Sequence, residues 1–192
     1  INDNCHAMGS KYFNDRGYAV KYADIAIQSY HPVKNITSGE GGSILTNNKK
    51  IYLESKILRE HGFETSNLNN YWAREVLKPG FNARLSELNC ALGYSQLKRL
   101  DKVVRERRRL AKMYDAYFSN HKYVFISKPD PNIFSSYHLY CLRINFKKLN
   151  IDKSQFHKIL KEKYKITLQV HYVPTYRFRL FQNRLNKKNY KI

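Results

Sequence analysis

ADIAIQSYHPVKNITSGEGGSILTNN, residues 23–48, decides how the rest of the chain is read. Residues 24–29 alternate apolar and polar side chains, the period-2 signature of a short, half-buried strand. Pro32 and the glycines at 39, 41 and 42 then forbid a long regular element. A second apolar run covers 43–46, and Asn47-Asn48 closes it with turn chemistry. The pattern predicts strand, loop, strand: a hairpin-like unit that presents Lys34.

Outward from this unit, Ile51, Leu53, Ile57 and Leu58 recur near helical spacing over 50–61, with Gly62 as a C-terminal cap. Residues 63–80 read as a polar, irregular stretch ended by Pro79-Gly80. From Ser86, Leu88, Leu92, Leu97 and Leu100 predict one long helix to about Tyr117, a length suited to bridging two domains. The character changes at 118–122. Beyond it, strands are predicted over 123–126, 137–146 and 166–171, with a helix over 153–163. A soft domain boundary falls near residue 110, without repeat or low-complexity linker.

The composition, 42% hydrophobic and 14% aromatic over 192 residues, is that of a folded chain able to bury a core. No run approaches the roughly 18 apolar residues of a membrane span. Cys5, Cys90 and Cys141 are widely spaced and form no CxxC pair, so neither a metal site nor a disulfide framework is expected. Scattered free thiols fit a reducing, cytoplasmic setting. The net charge of +20 admits nucleic acid, an acidic membrane surface or an anionic small substrate. Its densest cluster, Arg105 and 107–109, reads as a solvated helix face, and no nucleic-acid-binding motif accompanies it. Ile1 opens inside what reads as a strand end, and 189–192 stop without a terminal signature, so a fragment cut at both ends is expected.

Two residues are candidates for chemistry. A lysine in a glycine-rich loop becomes a useful nucleophile once its charge is relieved, and Ser29 offers a hydroxyl five residues upstream of Lys34. Asp3 follows a strand end, where α/β sheets place ligand-binding groups. Each has a plainer reading. Lys34 is one of 35 lysines and arginines, and Asp3 is a good helix N-cap.

Four segments, DNCHAMGSKY (3–12), the opening 23–48 stretch, REHG (59–62) and PGFNARLSELNCALGYSQLKRLD (79–101), resemble successive motifs of the DegT/DnrJ/StrS sugar aminotransferases. SSYHLYCLRI (135–144) and LQVHYVPTYRFRLF (168–181) are similar to the branch of that family that serves pseudaminic-acid biosynthesis. The resemblance implies an α/β, type I pyridoxal-phosphate (PLP) aminotransferase fold, with a mixed, mostly parallel sheet and a small α/β C-terminal domain. Residues 1–110 would be the downstream part of the large domain with the start of a bridging helix, and 111–192 part of the small one. It further implies pyridoxal 5'-phosphate as cofactor, a UDP-keto-sugar and glutamate as substrates, and a homodimer with shared active sites.

Carried over position by position, Lys34 falls on the family's catalytic Schiff-base lysine and Asp3 on the acid that pairs with the pyridine nitrogen. His6 takes the position that contacts the ring's phenolic oxygen, Ser29 that of a phosphate-binding hydroxyl, and Asn82 that of an asparagine reaching the phosphate in the partner subunit. His171 and Tyr172 fall either at the sugar-nucleotide site or in a buried structural pair. Asn2 and Tyr30 stand where relatives more often carry Glu and Phe, and neither change removes a group the reaction needs. The family's phosphate-binding turn and ring-stacking aromatic belong upstream of this stretch, so the chain alone is expected to be inactive. Another 3-keto or 4-keto sugar, or a non-catalytic family member, are the alternatives; Lys34 speaks against the dehydratases that carry histidine there.

Overall fold

The computed structural model describes residues 1–63 and 75–182. The first part of the chain supplies β1 (Asn2–Asp3), β2 (Lys11–Tyr12), a one-turn α1 (Tyr18–Lys21), β3 (Ala26–Ser29) and β4 (Gly42–Leu45). Three of these strands form one sheet in the order β1-β3-β4. β1 runs parallel to β3, with Asp3 opposite Ile27, while β4 returns antiparallel to β3, with Ser29 opposite Gly42. The expected hairpin-like unit is therefore present, on a mixed sheet. Paired residues and residues two apart share a face, so Asp3, Ile27 and Ser29 lie on one side and the fully buried Ala26 on the other.

α2 (Lys49–Arg59) begins where the Asn48 side chain accepts from the backbone N–H groups of Lys50 and Ile51. It ends as expected at Gly62, whose N–H reaches the Ile57 carbonyl at 2.8 Å. Part of the predicted irregular stretch, 64–74, lies outside the described residues. The single long helix expected from Ser86 is instead two, α3 (Glu87–Leu97) and α4 (Leu100–Phe118). At the break the Arg99 N–H turns to the Gln96 carbonyl at 3.0 Å, a tightened i→i+3 bond. The leucines on the two sides meet different surroundings. α3 buries no residue, whereas α4 buries Leu100, Val104 and Ala111.

Leu100 and Val104 form the core with Ile36, packed around by Met8, Tyr30 and Phe134. Burying such a side chain contributes about 1.5–3 kcal/mol. Gly9 allows the close approach: it has φ +85°, and a Cβ there would lie 2.7 Å from Val104 Cγ2.

β5 (Val124–Ile126), β6 (Ile133–Phe134) and β7 (Leu142–Ile144) follow. β6 pairs antiparallel with β2, and β5 pairs with β7. The strand expected over 137–146 is thus cut down to three residues. Tyr137 takes a left-handed φ of 47°, and neighbouring carbonyls are satisfied by arginines rather than by a strand. Arg107 Nη1 donates to the Tyr137 and His138 carbonyls at 3.3 and 3.1 Å, and Arg108 Nη1 to the Ser135 carbonyl at 2.8 Å. The Arg108 guanidinium also sits 3.8 Å from the Phe134 ring centre. This corrects the reading of the arginine run as a solvated face: Arg105 and Arg109 are exposed, but Arg107 and Arg108 are half-buried.

Residues Ile1–Arg143 make one compact unit and Ile144–Ile192 another. Leu110 lies inside α4. The second unit holds α5 (Phe146–Leu149), α6 (Lys153–Tyr164), a 3-10 turn at Thr175–Arg177 and α7 (Arg179–Gln182). The Asp152 side chain caps α6 by accepting from the Gln155 N–H at 2.8 Å, and the rings of Phe146 and Phe156 meet edge-on at 5.5 Å. The strand expected over 166–171 does not form. The Ile166 N–H bonds back to the Leu160 carbonyl at 2.9 Å, closing α6 beyond a left-handed Lys165. Among the described residues no helix is long and apolar enough to cross a membrane.

Candidate active site

The loop between β3 and β4 lacks regular structure yet is tied at nearly every step. The Tyr30 N–H donates to the Gly41 carbonyl at 2.8 Å, and the Tyr30 carbonyl accepts from Ser38 N–H and Thr37 Oγ1, both at 3.0 Å. Ser38 Oγ donates to the Glu40 carbonyl at 2.7 Å. From α3, Asn89 Nδ2 donates to the Ser38 carbonyl. Ile36 anchors the loop in the core. The Lys34 N–H bonds to the His31 carbonyl at 2.9 Å, and the side chain is half-buried.

Asp3 stands at the end of β1, on the sheet face it shares with Ser29. Its Oδ1 accepts from the Cys5 N–H at 3.1 Å in a tight side-chain turn. Residues 4–9 form turns and no helix, so Asp3 is not a helix cap. Hydrogen bonds from the Cys5 thiol and amide hold its carboxyl below the usual carboxylate range, helped by the positive charges of His6 and Lys34. The Cys5 thiol is pushed up in turn, first by burial and then by Asp3; its Sγ lies 3.8 Å from the Ile27 carbonyl. Of the contributions at Asp3, Lys34 makes the smallest. The Ser29 hydroxyl accepts from the His31 N–H at 3.4 Å.

His6 is exposed, and its ring centre lies 4.4 Å from that of His138. Asp3, His6, Ser29 and Lys34 all belong to the β1–β3–β4 region. Asn82 sits elsewhere, exposed and bridged antiparallel to Glu60. His171 and Tyr172, in the second unit, stack at 4.3 Å and are both exposed, so in this chain they are not a buried pair. A depression of about 550 Å³ lined by Val20, Tyr22, Asp24 and Asn47 contains none of these residues. Among the described residues no His, Cys, Asp and Glu cluster could hold a metal ion.

Sequence reasoning missed the residues that hold these groups. Cys5 gave no signal beyond being a free thiol. Asn35 and Ser136 are buried and hydrogen-bonded to each other across 101 residues of chain, a pairing no local pattern reveals.

Residues 1–192 match the DegT/DnrJ/EryC1/StrS aminotransferase family. Over 188 residues the chain is 37% identical to the UDP-4-amino-4,6-dideoxy-N-acetyl-beta-L-altrosamine transaminase of Campylobacter jejuni, covering 97% of this chain and 48% of that protein. The Helicobacter pylori protein of the same name is 33% identical over 188 residues, with the same coverage. Among solved structures, Helicobacter pylori PseC, an aminotransferase involved in the biosynthesis of pseudoaminic acid, matches with a TM-score of 0.86 at 34% identity, over 96% of this chain and 48% of that one. The PLP form of Spr1654, a putative sugar aminotransferase from Streptococcus pneumoniae, gives 0.81 at 26% identity, over 95% and 46%. The chain thus spans about half the length of the relatives it matches. Its mixed sheet and flanking helices are part of the α/β fold of the sugar aminotransferases, as expected. With the family match running from the first residue to the last, the chain belongs to the DegT/DnrJ/EryC1/StrS aminotransferase family.

Proposed function

We propose that the complete protein is a PLP-dependent nucleotide-sugar aminotransferase, transferring the amino group of glutamate to a UDP-4-keto-6-deoxy-N-acetylhexosamine in pseudaminic-acid biosynthesis. The observation that carries this reading is the sheet geometry: β1 ends at Asp3, on the face it shares with Ser29, and β3 leads directly into the loop that carries Lys34. The likeness to the Campylobacter and Helicobacter transaminases supports the choice of sugar.

The donor set suits the cofactor. A carboxylate held ionised is what a protonated pyridine nitrogen needs opposite it, and Asp3 supplies one. Lys34 would hold the cofactor through its amine, Ser29 its phosphate, His6 its ring oxygen, and Asn82 the phosphate of a second copy's site. Bound there, pyridoxal phosphate supplies an electron sink for the pair of electrons left on a carbon that loses a proton. Lys34 carries that proton away from the α-carbon of glutamate and, in the return half, delivers one to C4 of the sugar. Leu88, at 85% exposure, and Leu92 and Leu97 on α3 offer the apolar surface that a homodimer requires. The +20 charge favours a diphosphate-bearing sugar nucleotide. Three free thiols suit a cytoplasmic protein.

The test is an absorbance spectrum of the complete protein with PLP and then glutamate. The expected result is a band near the visible edge that moves to shorter wavelength with glutamate, returns with the keto sugar, and is missing in Lys34→Ala. A folded preparation with no such band overturns the reading and leaves a non-catalytic family member.

A further inference from the structure

Lys34 is followed by a residue whose side chain is held by two hydrogen bonds. Asn35 is only 6% exposed, and its Nδ2 donates both to the Met8 carbonyl at 2.8 Å and to Ser136 Oγ at 2.9 Å. Ser136, 1% exposed, receives a second hydrogen bond from Ser10 Oγ at 3.0 Å, and its own N–H donates back to that oxygen at 3.0 Å. A carbonyl only accepts, so the Met8 oxygen fixes which end of the Asn35 amide faces it. Among the described residues the other end, Oδ1, is buried without a hydrogen-bond partner. A buried acceptor left unmatched is costly, and calls for an explanation in what the rest of the group does.

The brace reaches beyond these four residues. Ser136 lies in the segment whose flanking carbonyls, those of Ser135 and Tyr137, are held by Arg108 and Arg107 of α4. Met8 and Ser10 belong to the pair of successive turns after β1, the first of which carries His6. Asn35 thus ties the Lys34 loop to the turns after β1 and, through Ser136, to the longest helix. On the other flank of Lys34, the His31 carbonyl holds its N–H.

We propose that Asn35 is a positioning residue for proton transfer by Lys34: fixed by Met8 and by Ser136, which Ser10 holds in turn, it sets the backbone from which the lysine amine reaches the reacting carbon. The inference rests on the reading of Lys34 as the proton carrier. Its size follows from geometry, because a misplacement of about 1 Å at a reacting group costs on the order of 100-fold in rate. A purely structural asparagine would change how much protein folds, not how the step proceeds once the protein is folded.

The experiment uses the complete protein in four forms: unaltered, Asn35→Ala, Ser136→Ala and Lys34→Ala. In the first readout, cofactor-free protein is reductively methylated with ¹³C, and the Lys34 signal is assigned by its loss in Lys34→Ala. Asn35→Ala is expected to move that signal into the envelope of freely moving surface lysines. The second readout is the glutamate half-reaction at saturating cofactor. Asn35→Ala is expected to slow it about 10- to 100-fold, with a larger α-deuterium isotope effect and an unchanged KM for glutamate. Ser136→Ala should act in the same direction but less, since the bond to Met8 survives, and it carries the test if Asn35→Ala does not fold. An unchanged Lys34 signal and an unchanged isotope effect in the folded variant overturn the proposal. Full activity in Lys34→Ala overturns instead the functional reading beneath it, and the two failures are told apart by that one control.

Discussion

The loop from Tyr30 to Gly41 and the helix α3 invert the usual association of regularity with order. The loop has almost no repeating structure, yet Asn35, Ile36 and Ser38 within it are at most 6% exposed and its polar groups are tied to β4, α3 and the 135–138 segment. α3 is three turns of regular helix that bury no residue, with Leu88, Leu92, Tyr94 and Leu97 between 40% and 85% exposed. It is the polar and small side of α3 that turns inward: Asn89 donates to the Ser38 carbonyl, and a Cβ on Gly93 would lie 3.3 Å from Ser38 Cβ. Backbone regularity reports local hydrogen bonding, whereas order at a site comes from tertiary partners. A reactive lysine needs the second kind.

The comparison is broken most forcefully at Gly41. Its φ of +136° lies where side-chain-bearing residues are strained, and a Cβ there would stand 2.7 Å from Leu85 Cδ1. Gly41→Val is expected to destabilise this chain by on the order of 5 kcal/mol, adding backbone strain to overpacking. The measurement is the urea midpoint, and soluble yield should fall with it. A cost under about 1 kcal/mol would mean that the loop adjusts freely and is not the rigid element described.

Ile36 comes next. It is 5% exposed and packs with Leu100 and Val104. Ile36→Ala is expected to cost about 3 kcal/mol, as lost burial plus a cavity that close packing only partly refills. The change should appear in the urea midpoint with little change in slope. It would sharpen the contrast, because the residue concerned sits in a stretch with no secondary structure at all.

How much of this was legible beforehand depended on the range of the interactions. The β3–β4 hairpin was readable because alternation, Pro32 and the closing asparagines act within a few residues of one another. So was α2, from its leucine and isoleucine spacing and Gly62. The break between α3 and α4 was not, since neither Gly nor Pro marks Lys98-Arg99 and the cause lies in what each half packs against. One predicted strand shrank to β7 and another did not form, for a related reason. Apolar runs at 137–146 and 166–171 become strands only where a partner strand is in place; Arg107 took the Tyr137 and His138 carbonyls, and the α6 cap took the Ile166 N–H. At the site, Lys34 and Asp3 stood out through motif resemblance, for nothing in local chemistry separates one lysine from 35 basic residues. Cys5 beside Asp3, and Ser136 beside Asn35, needed the folded chain.

The smallest effect is expected on α3. Leu88 is 85% exposed, so truncating it removes little buried surface, and Leu88→Ala should shift the stability of this chain by less than about 0.5 kcal/mol. Helix propensity points the same way, because alanine is the stronger helix former of the two. The same urea titration compares it directly with Ile36→Ala. A loss approaching that of the buried isoleucine would show that α3 is covered in solution. Repeating the titration over a range of protein concentrations would then identify the cover: a second copy makes the cost depend on concentration, whereas packing within one chain does not.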